Sequence, residues 1–314
     1  MTQDRPLLGI LLMLGFCIAA PVGDALAKIL SERVSLGQLL LVRFAVQALV
    51  LVPIVAVTGR AWRMSPSVFA VTFLRTLMLI LGIGMMVTAL YYLPLADAVA
   101  IAFVMPFMML VLGHYVLKEE VGSRRLIACA VGFAGTLLVV QPSFQQVGWP
   151  ALLPLGVALN FSLFMLITRQ IAKQTDPIGL QAVSGVMAVV LIAPVLFVLP
   201  HPPVPALEWN AAPGLTSWAL LGAIGLSGTT AHLLMTWSLR YAPSATLAPM
   251  QYLEIPIATV IGFAVFGDLP NTLATIGISI TIASGLYIVL REQATSRRTA
   301  PEPIATPTVP TPAE

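Results

Sequence analysis

The chain has 314 residues, of which 58% are apolar and 9% are charged, whereas a soluble domain carries about 25% charged residues. So few charges cannot cover the surface of a soluble protein. A formal net charge of +3 without a basic run gives no sign of a nucleic-acid partner. The two cysteines, Cys17 and Cys129, exclude a disulfide scaffold and a cysteine-ligated metal site. The composition predicts an all-α polytopic membrane protein in contact with the lipid bilayer.

Breaks at charged, proline and glycine clusters divide the chain into ten apolar segments, each near the roughly 20 residues that cross a membrane. They cover approximately 7–30, 35–58, 67–90, 95–117, 124–141, 150–169, 178–199, 215–239, 244–266 and 271–290. Most connections are only a few residues long, so consecutive helices are expected to be antiparallel neighbours. The proline-rich connection 201–214 is expected at the membrane interface, and the tail 293–314 is expected to be disordered.

The distribution of Lys and Arg among alternate loops predicts the orientation in the membrane. With the N-terminus inside, the inner loops and termini hold twelve of the sixteen basic residues. The outer loops hold two, Lys28 and Arg33, and the remaining two, Arg43 and Arg75, lie within apolar segments. Both termini of this multi-pass protein are therefore predicted to be cytoplasmic.

The chain resembles itself at a spacing of about 149 residues. YLP at 92–94 recurs as YAP at 241–243, and a proline 13 residues before Glu119 is matched by Pro256, 12 residues before Asp268. A unit of five helices has an odd number of spans, so its second copy is inverted relative to the first. Inverted repeats are found in many secondary transporters, with the substrate site near mid-membrane between the halves.

The same residues carry a family resemblance. The strings LPLADAVAIAFVMPFMMLVLGHYVLKEEV (93–121) and APSATLAPMQYLEIPIATVIGFAVFGDLP (242–270) resemble the paired fourth and ninth helices of EamA-type members of the drug/metabolite transporter superfamily. Arg43 and Arg75 match arginines early in the second and third helices of that family. The resemblance implies a ten-helix inner-membrane carrier of small organic metabolites or drugs. It implies five-helix repeats at 1–143 and 144–292, with 293–314 as a cytoplasmic tail.

Polar side chains inside the apolar segments are candidate site residues, because such groups are costly in a membrane and usually face inward. Glu254 lies ten residues into its segment, a depth of roughly 15 Å at about 1.5 Å per residue. Gln251 shares its helix face. Glu254 is predicted either to bind a substrate amine or a proton, or to form a structural ion pair with Arg43 or Arg75.

The two arginines lie about 12 Å deep by the same measure, and Gln47 lies one turn beyond Arg43. A guanidinium facing a cavity would bind a substrate carboxylate. The alternative is that each arginine ties neighbouring helices together. Four deep aromatic residues either flank the site or pack in the core: Tyr252, Phe103, Phe107 and Phe164.

Asp24 and Lys28 have the i,i+4 spacing and order that favour a local ion pair, with an outer gate as the alternative. Asn160 is predicted to line the cavity or to bridge two helices. His114 and His232 are predicted to pack in the helix bundle, with a proton relay as the alternative. The sequence offers no group of side chains that would bind a cofactor or metal.

A membrane-embedded enzyme is the alternative function, although the sequence has no HExxH or GxSxG motif and no paired intramembrane aspartates. The lack of a phosphate-binding glycine-rich loop excludes an ATP-driven pump. The favoured function is secondary transport of a small polar or zwitterionic metabolite by alternating access, by a monomer or homodimer, with proton coupling as an option. An amino acid or derivative is the favoured substrate class, and a vitamin such as riboflavin or a sulfonium or drug cation also fits.

Overall fold

A computed structural model describes residues 5–105, 107–108, 111–112, 123–197, 209, 214–242 and 247–298. Ten α-helices lie within these ranges: α1 (Pro6–Leu30), α2 (Leu36–Thr58), α3 (Pro66–Tyr92), α4 (Leu95–Ala102), α5 (Ser123–Val147), α6 (Leu153–Ala172), α7 (Pro177–Phe197), α8 (Leu215–Tyr241), α9 (Glu254–Phe266) and α10 (Thr272–Arg298). Short 3-10 helices, Trp149–Leu152 and Ala248–Leu253, precede α6 and α9. The described residues contain no β-strand.

Local sequence signals explain several helix ends. The hydroxyl groups of Ser35 and Ser65 accept hydrogen bonds from the amides of Gln38 (3.1 Å) and Val68 (3.4 Å). These bonds satisfy amides that have no partner within the first turn of α2 and α3. Gly267 ends α9 with a left-handed φ of 72°, a conformation that glycine adopts without strain.

Six helical segments within the described ranges are long and apolar enough to cross a membrane: Leu7–Leu30, Leu36–Thr58, Pro66–Tyr92, Trp149–Ala172, Pro177–Phe197 and Leu215–Tyr241. Shorter apolar helical stretches are Met250–Phe266 and Thr272–Ser284. A helix of 20 residues is about 30 Å long, the thickness of the hydrocarbon core of a bilayer. The protein is therefore a multi-pass α-helical membrane protein.

The helices pack in pairs that are distant in sequence. α1 packs on α8, α3 on α6, α2 on α7, α4 on α9 and α5 on α10. The α5–α10 contact is a close backbone approach, because a Cβ atom at Gly277 would lie 2.5 Å from the carbonyl oxygen of Gly135. Thr281 of α10 also donates a hydrogen bond to the carbonyl oxygen of Gly132 at 3.4 Å. Small residues permit such approaches between membrane helices.

The fourth and ninth predicted segments are not continuous α-helices. α4 ends at Ala102, and Phe103 and Val104 form a turn before helical backbone recurs at 105, 107–108 and 111–112. In the ninth segment, the 3-10 helix Ala248–Leu253 leads directly into Glu254. Prolines at positions 106 and 256 have no amide hydrogen to donate to the residue four positions earlier, which weakens an α-helix at these points.

The tail boundary also differs from the prediction. α10 continues to Arg298, so residues 293–298 are helical rather than disordered. The sequence REQATSRR at 291–298 has no proline, and the first proline of the tail is Pro301. Residues 299–314 lie outside the described residues, as do Pro106, Glu119, Pro243 and most of the connection 201–214.

Candidate functional site

A cavity lies between α1, α2, α3, α4, α6, α8 and the start of α9. Its empty space is about 970 Å³ when the part open to solvent is included. The polar and charged side chains on its wall are Asp24, Arg43, Asn160, His232 and Glu254. The described residues contain no group of three His, Cys, Asp or Glu side chains placed to hold a metal ion.

Two carboxylates line this cavity, Asp24 from the C-terminal half of α1 and Glu254 from the first turn of α9. Neither forms a hydrogen bond or an ion pair with a residue that the structure describes. Within the described ranges, the ion pairs are Lys28–Asp268 at 3.5 Å and Arg60–Asp176 at 3.0 Å. The alternative that Glu254 forms a structural pair with an arginine is therefore wrong for this structure.

Arg43 brings a positive charge to the same cavity. Its side chain is 9% exposed, and it forms no hydrogen bond with any residue that the structure describes. The guanidinium packs against Gly228 of α8, where a Cβ atom would lie 2.5 Å from Cζ of Arg43. This glycine gives the cationic group its place on the cavity wall.

Asn160 fulfils both roles that the sequence left open. Its Nδ2 donates a 2.8 Å hydrogen bond to the carbonyl oxygen of Met78 and so bridges α6 to α3, while the residue also lines the cavity. Gly82 provides the space for this contact, since a Cβ atom there would lie 2.5 Å from Nδ2 of Asn160. The side-chain amide is thereby held in a fixed position.

Arg75 does not line the cavity. It is fully buried, and its Nε and Nη1 donate to the hydroxyl groups of Thr168 (2.9 Å) and Ser184 (3.0 Å). Its guanidinium carbon also lies 4.6 Å from the ring centre of Phe164, a cation–π contact. These bonds tie α3 to α6 and α7, as expected if this arginine holds helices together.

Three further predicted site residues lie behind the cavity wall. Nε2 of Gln47 donates to the backbone oxygen of Gln181 at 2.7 Å and joins α2 to α7. Gln251 is fully buried, with its Nε2 3.4 Å from the sulfur atom of Met165. Tyr252 is 3% exposed and packs its ring among other aromatic residues. Equal depth in the membrane therefore does not mean that these side chains share one cavity.

The cavity wall also contains aromatic residues, of which Phe103 and Phe164 were predicted as flanking residues and Phe16 and Phe161 were not. Phe161 stacks on Phe16 with ring centres 6.2 Å apart and on Phe164 at 5.4 Å. We refer to Phe16, Phe161 and Phe164 as the phenylalanine platform. The i, i+3, i+4 and i+7 spacing of residues 157, 160, 161 and 164 was the signal available in the sequence.

His232 was predicted to pack in the helix bundle, but the structure places it on the cavity wall. It lines the cavity next to the platform, edge-on to Phe16 (6.5 Å) and Phe164 (6.1 Å). Its Nδ1 is buried without a hydrogen-bond partner in the described chain.

The local ion pair expected between Asp24 and Lys28 does not form. Nζ of Lys28 donates to the carbonyl oxygen of Leu93 at 2.7 Å and lies 3.5 Å from Oδ2 of Asp268. It also lies 5.1 Å from the ring centre of Phe266. These contacts connect the end of α1 to the ends of α3 and α9. The Lys28 side chain therefore points toward neighbouring helices, where the carbonyl of Leu93 and the carboxylate of Asp268 provide its partners.

The opposite end of the bundle, near the N-terminus of α1, is closed by hydrogen bonds. The hydroxyl of Ser238 donates to the carbonyl oxygen of Gly9 at 2.7 Å, and Nη1 of Arg240 donates to the carbonyl oxygen of Thr175 at 2.8 Å. The cavity wall, in contrast, comes from the C-terminal halves of α1 and α3 and the N-terminal half of α6. The cavity thus extends from mid-bundle toward the end away from the N-terminus of α1.

Comparisons with known proteins agree with this architecture. The profile of the EamA-like transporter family matches residues 7–141 and 148–290. A riboflavin transporter of Vibrio cholerae is 25% identical over 299 residues, which cover 94% of this chain and 97% of the relative. An S-adenosylmethionine uptake transporter of Rickettsia prowazekii is 23% identical over 276 residues, which cover 88% and 90%. One solved crystal structure aligns with a TM-score of 0.65 and 17% identity over 92% of this chain and 98% of that chain, which shows a shared fold.

Proposed function

Since the chain belongs to the EamA-like transporter family, we propose that it is an inner-membrane secondary transporter of a small polar or zwitterionic organic metabolite. The observation that carries this proposal is a cavity lined by Asp24, Arg43 and Glu254, in which none of the three has an ion-pair partner among the described residues. The family and both named relatives are transporters, which confirms the prediction that the protein is not an enzyme.

All ten helices cross the membrane in this proposal, as two inverted five-helix repeats at 1–143 and 144–292 with cytoplasmic termini. The helix contacts support it. In the proposed repeat, α6 is the equivalent of α1, and α8 is the equivalent of α3. The contact between α1 and α8 should therefore have an equivalent between α6 and α3, and both pairs pack. The pairs α2–α7, α4–α9 and α5–α10 each join helices that are equivalent in the two halves. The two successive matches to the family profile give a second line of support.

The interrupted helices support a binding region between the two halves. Phe103, where α4 breaks, and Tyr252, in the 3-10 helix before α9, occupy equivalent places in the two halves and contact each other at 5.7 Å. Discontinuous helices at the interface between repeats form the substrate site in many secondary transporters. The cavity adjoins this contact and includes Phe103 and Glu254.

The charged side chains suit a solute that carries both signs of charge. Arg43 is free to bind a carboxylate through two parallel hydrogen bonds. Asp24 and Glu254 are free to bind an ammonium or sulfonium group, and Asn160 is fixed beside them as a hydrogen-bonding group. An amino-acid derivative satisfies all of these groups. Riboflavin and S-adenosylmethionine, which the names of the two relatives give as their substrates, are the first solutes to test.

Alternating access follows from the two ends of the bundle. With cytoplasmic termini, the cavity extends toward the periplasm, while the bonds made by Ser238 and Arg240 close the cytoplasmic end. Transport requires those bonds to break as the periplasmic end closes. Glu254 can exchange a proton for the cationic part of the solute during this cycle, because it is a partly buried carboxylate with no ion-pair partner among the described residues. Asp24, Arg43 and His232 are the ionisable groups that share its cavity.

Flux in proteoliposomes tests the proposal. The purified protein is reconstituted and supplied with radiolabelled amino acids, riboflavin and S-adenosylmethionine, and the internal solute is recovered for chemical analysis. We expect saturable uptake of at least one solute in unchanged form. Arg43→Gln should abolish this uptake, whereas Arg63→Gln, which alters an exposed arginine outside the cavity, should retain it. Chemical conversion of the solute, or no saturable flux for any member of the panel, would contradict the proposal.

A further inference from the structure

We propose that the phenylalanine platform binds a flat heteroaromatic ring, so that the transported solute consists of such a ring joined to a charged or polar chain. This inference rests on the proposed function, because it assumes that the solute enters this cavity. The inference requires an aromatic ring in the solute, which the charged residues of the cavity alone do not.

The platform has the geometry of a stacking surface. The rings of Phe16 and Phe161 lie within 17° of parallel, and those of Phe161 and Phe164 within 25°. Aromatic rings attract one another in such offset arrangements, with ring centres about 4.5–7 Å apart. All three rings line the cavity, and Phe161 is the partly exposed member, whereas Phe16 and Phe164 are buried. Phe161 is the middle ring of the three, and the part of it that Phe16 and Phe164 leave exposed is where a planar ligand in the cavity would contact the platform.

His232 supplies a polar group at the edge of the platform. Its side chain is 6% exposed and lines the cavity, yet neither ring nitrogen forms a hydrogen bond within the described chain. Nδ1 has almost no accessible surface, so a ligand in the cavity would reach this histidine through Nε2. Polar atoms enclosed in a protein are generally hydrogen-bonded, so Nε2 would need a polar partner once a ligand covers it. A ring nitrogen or carbonyl group of a heteroaromatic solute would provide that partner, which a purely aliphatic solute would not.

Hydrogen-bonded neighbours of the platform hold it in place. The guanidinium of Arg75 contacts the ring of Phe164 at 4.6 Å and is itself fixed by bonds to Thr168 and Ser184. Asn160, adjacent to Phe161 on α6, is fixed by its bond to Met78. A preformed surface loses less conformational entropy when a ligand binds. The ring therefore lies at Phe161, and the polar chain extends along the same wall toward Asn160 and Arg43.

Ligand binding to the purified full chain tests this inference with defined probes. Riboflavin, adenosine and S-adenosylmethionine carry a heteroaromatic ring, whereas methionine carries the amino-acid part of S-adenosylmethionine without the ring. We expect at least one ring-bearing probe to bind more tightly than methionine. Phe161→Leu, which keeps an apolar side chain but removes the ring, should weaken that binding about 5- to 150-fold, the range for stacking of a base on an aromatic residue.

Two control variants test whether a loss of binding comes from removal of the Phe161 ring. Phe161→Tyr keeps the ring and should retain affinity within a few-fold, and Phe263→Leu, at an exposed position of α9 outside the cavity, should bind as the unaltered protein does. Unchanged affinity in Phe161→Leu, tighter binding of methionine, or no binding of any ring-bearing probe would overturn the inference. Saturable flux of a ring-free solute would overturn it while supporting the proposed transport. Ring-dependent binding without flux would instead uphold the inferred specificity and contradict the proposed transport.

Discussion

Replacing Gly228 with alanine should displace Arg43 from the cavity wall. A Cβ atom at this position would lie 2.5 Å from Cζ, 2.6 Å from Nη2 and 2.9 Å from Nη1 of Arg43. Those distances are too short for non-bonded atoms, so one of the groups has to move. The guanidinium is the end of a flexible side chain, and we expect it to shift while α2 and α8 remain packed.

The magnitude follows from the bonds that the displaced group can no longer make. A hydrogen bond to a charged group contributes about 1.5–3 kcal/mol, which corresponds to an affinity loss of about 10- to 150-fold for a solute that Arg43 binds. Crowding in a packed core costs about 1–3 kcal/mol of stability, and the better helix propensity of alanine offsets up to about 1 kcal/mol of it. Gly228→Ala should therefore raise KM at least tenfold and leave the protein folded.

Concentration-dependent uptake in proteoliposomes measures this effect, with Gly222→Ala as the matched control. Gly222 lies on the same helix, and no atom of another residue would lie within 4 Å of an added Cβ, so its KM should not change. Equal KM values for Gly228→Ala and the unaltered protein would refute the role of Arg43 in binding. Equal losses in the two variants would show that the effect comes from the helix rather than from the guanidinium.

Three further predictions concern coupling, packing and topology. Glu254→Gln should abolish the pH dependence of uptake, or uptake itself, while the protein still inserts, and normal pH-dependent uptake would exclude a coupling role. Gly277→Ala should lower thermal stability in detergent by about 1–3 kcal/mol, because its Cβ would meet the backbone oxygen of Gly135; unchanged stability would argue against this close helix contact. A cysteine at Ala211 should react with an impermeant maleimide in intact cells and one at Thr295 should not, whereas the reverse pattern would reject cytoplasmic termini.

The sequence predicts most of the helices because length and apolar composition determine which segments cross a bilayer. The prolines at 106 and 256 predicted weak points or kinks in these two helices, but not the turn at Phe103 or the 3-10 helix before Glu254. A proline removes one backbone bond, and only the packing around it decides whether the helix bends, tightens or breaks. The helical continuation of α10 to Arg298 was missed because a polar composition was taken to mean disorder.

For the candidate site, the sequence predicted how deep each polar side chain lies in the membrane but not the direction in which it points. Counting residues placed Arg43, Arg75, Gln47 and Glu254 at similar depths, yet Arg43 and Glu254 line the cavity, while Arg75 and Gln47 bond to neighbouring helices. Depth follows from position along a helix, whereas direction depends on the rotation of that helix against its partners. Those partners are residues more than 90 positions away in sequence.

Protection of a cavity cysteine by the solute tests the central claim, that substrate binds between Arg43, Asp24 and Glu254. With both native cysteines replaced by serine, Ala20→Cys places a thiol on the cavity wall, and Gly214→Cys places one at an exposed position at the start of α8, outside the cavity. The account predicts that a transported solute slows alkylation at position 20 in proportion to its occupancy and leaves position 214 unaffected. Equal alkylation rates at position 20 with and without saturating solute would contradict it.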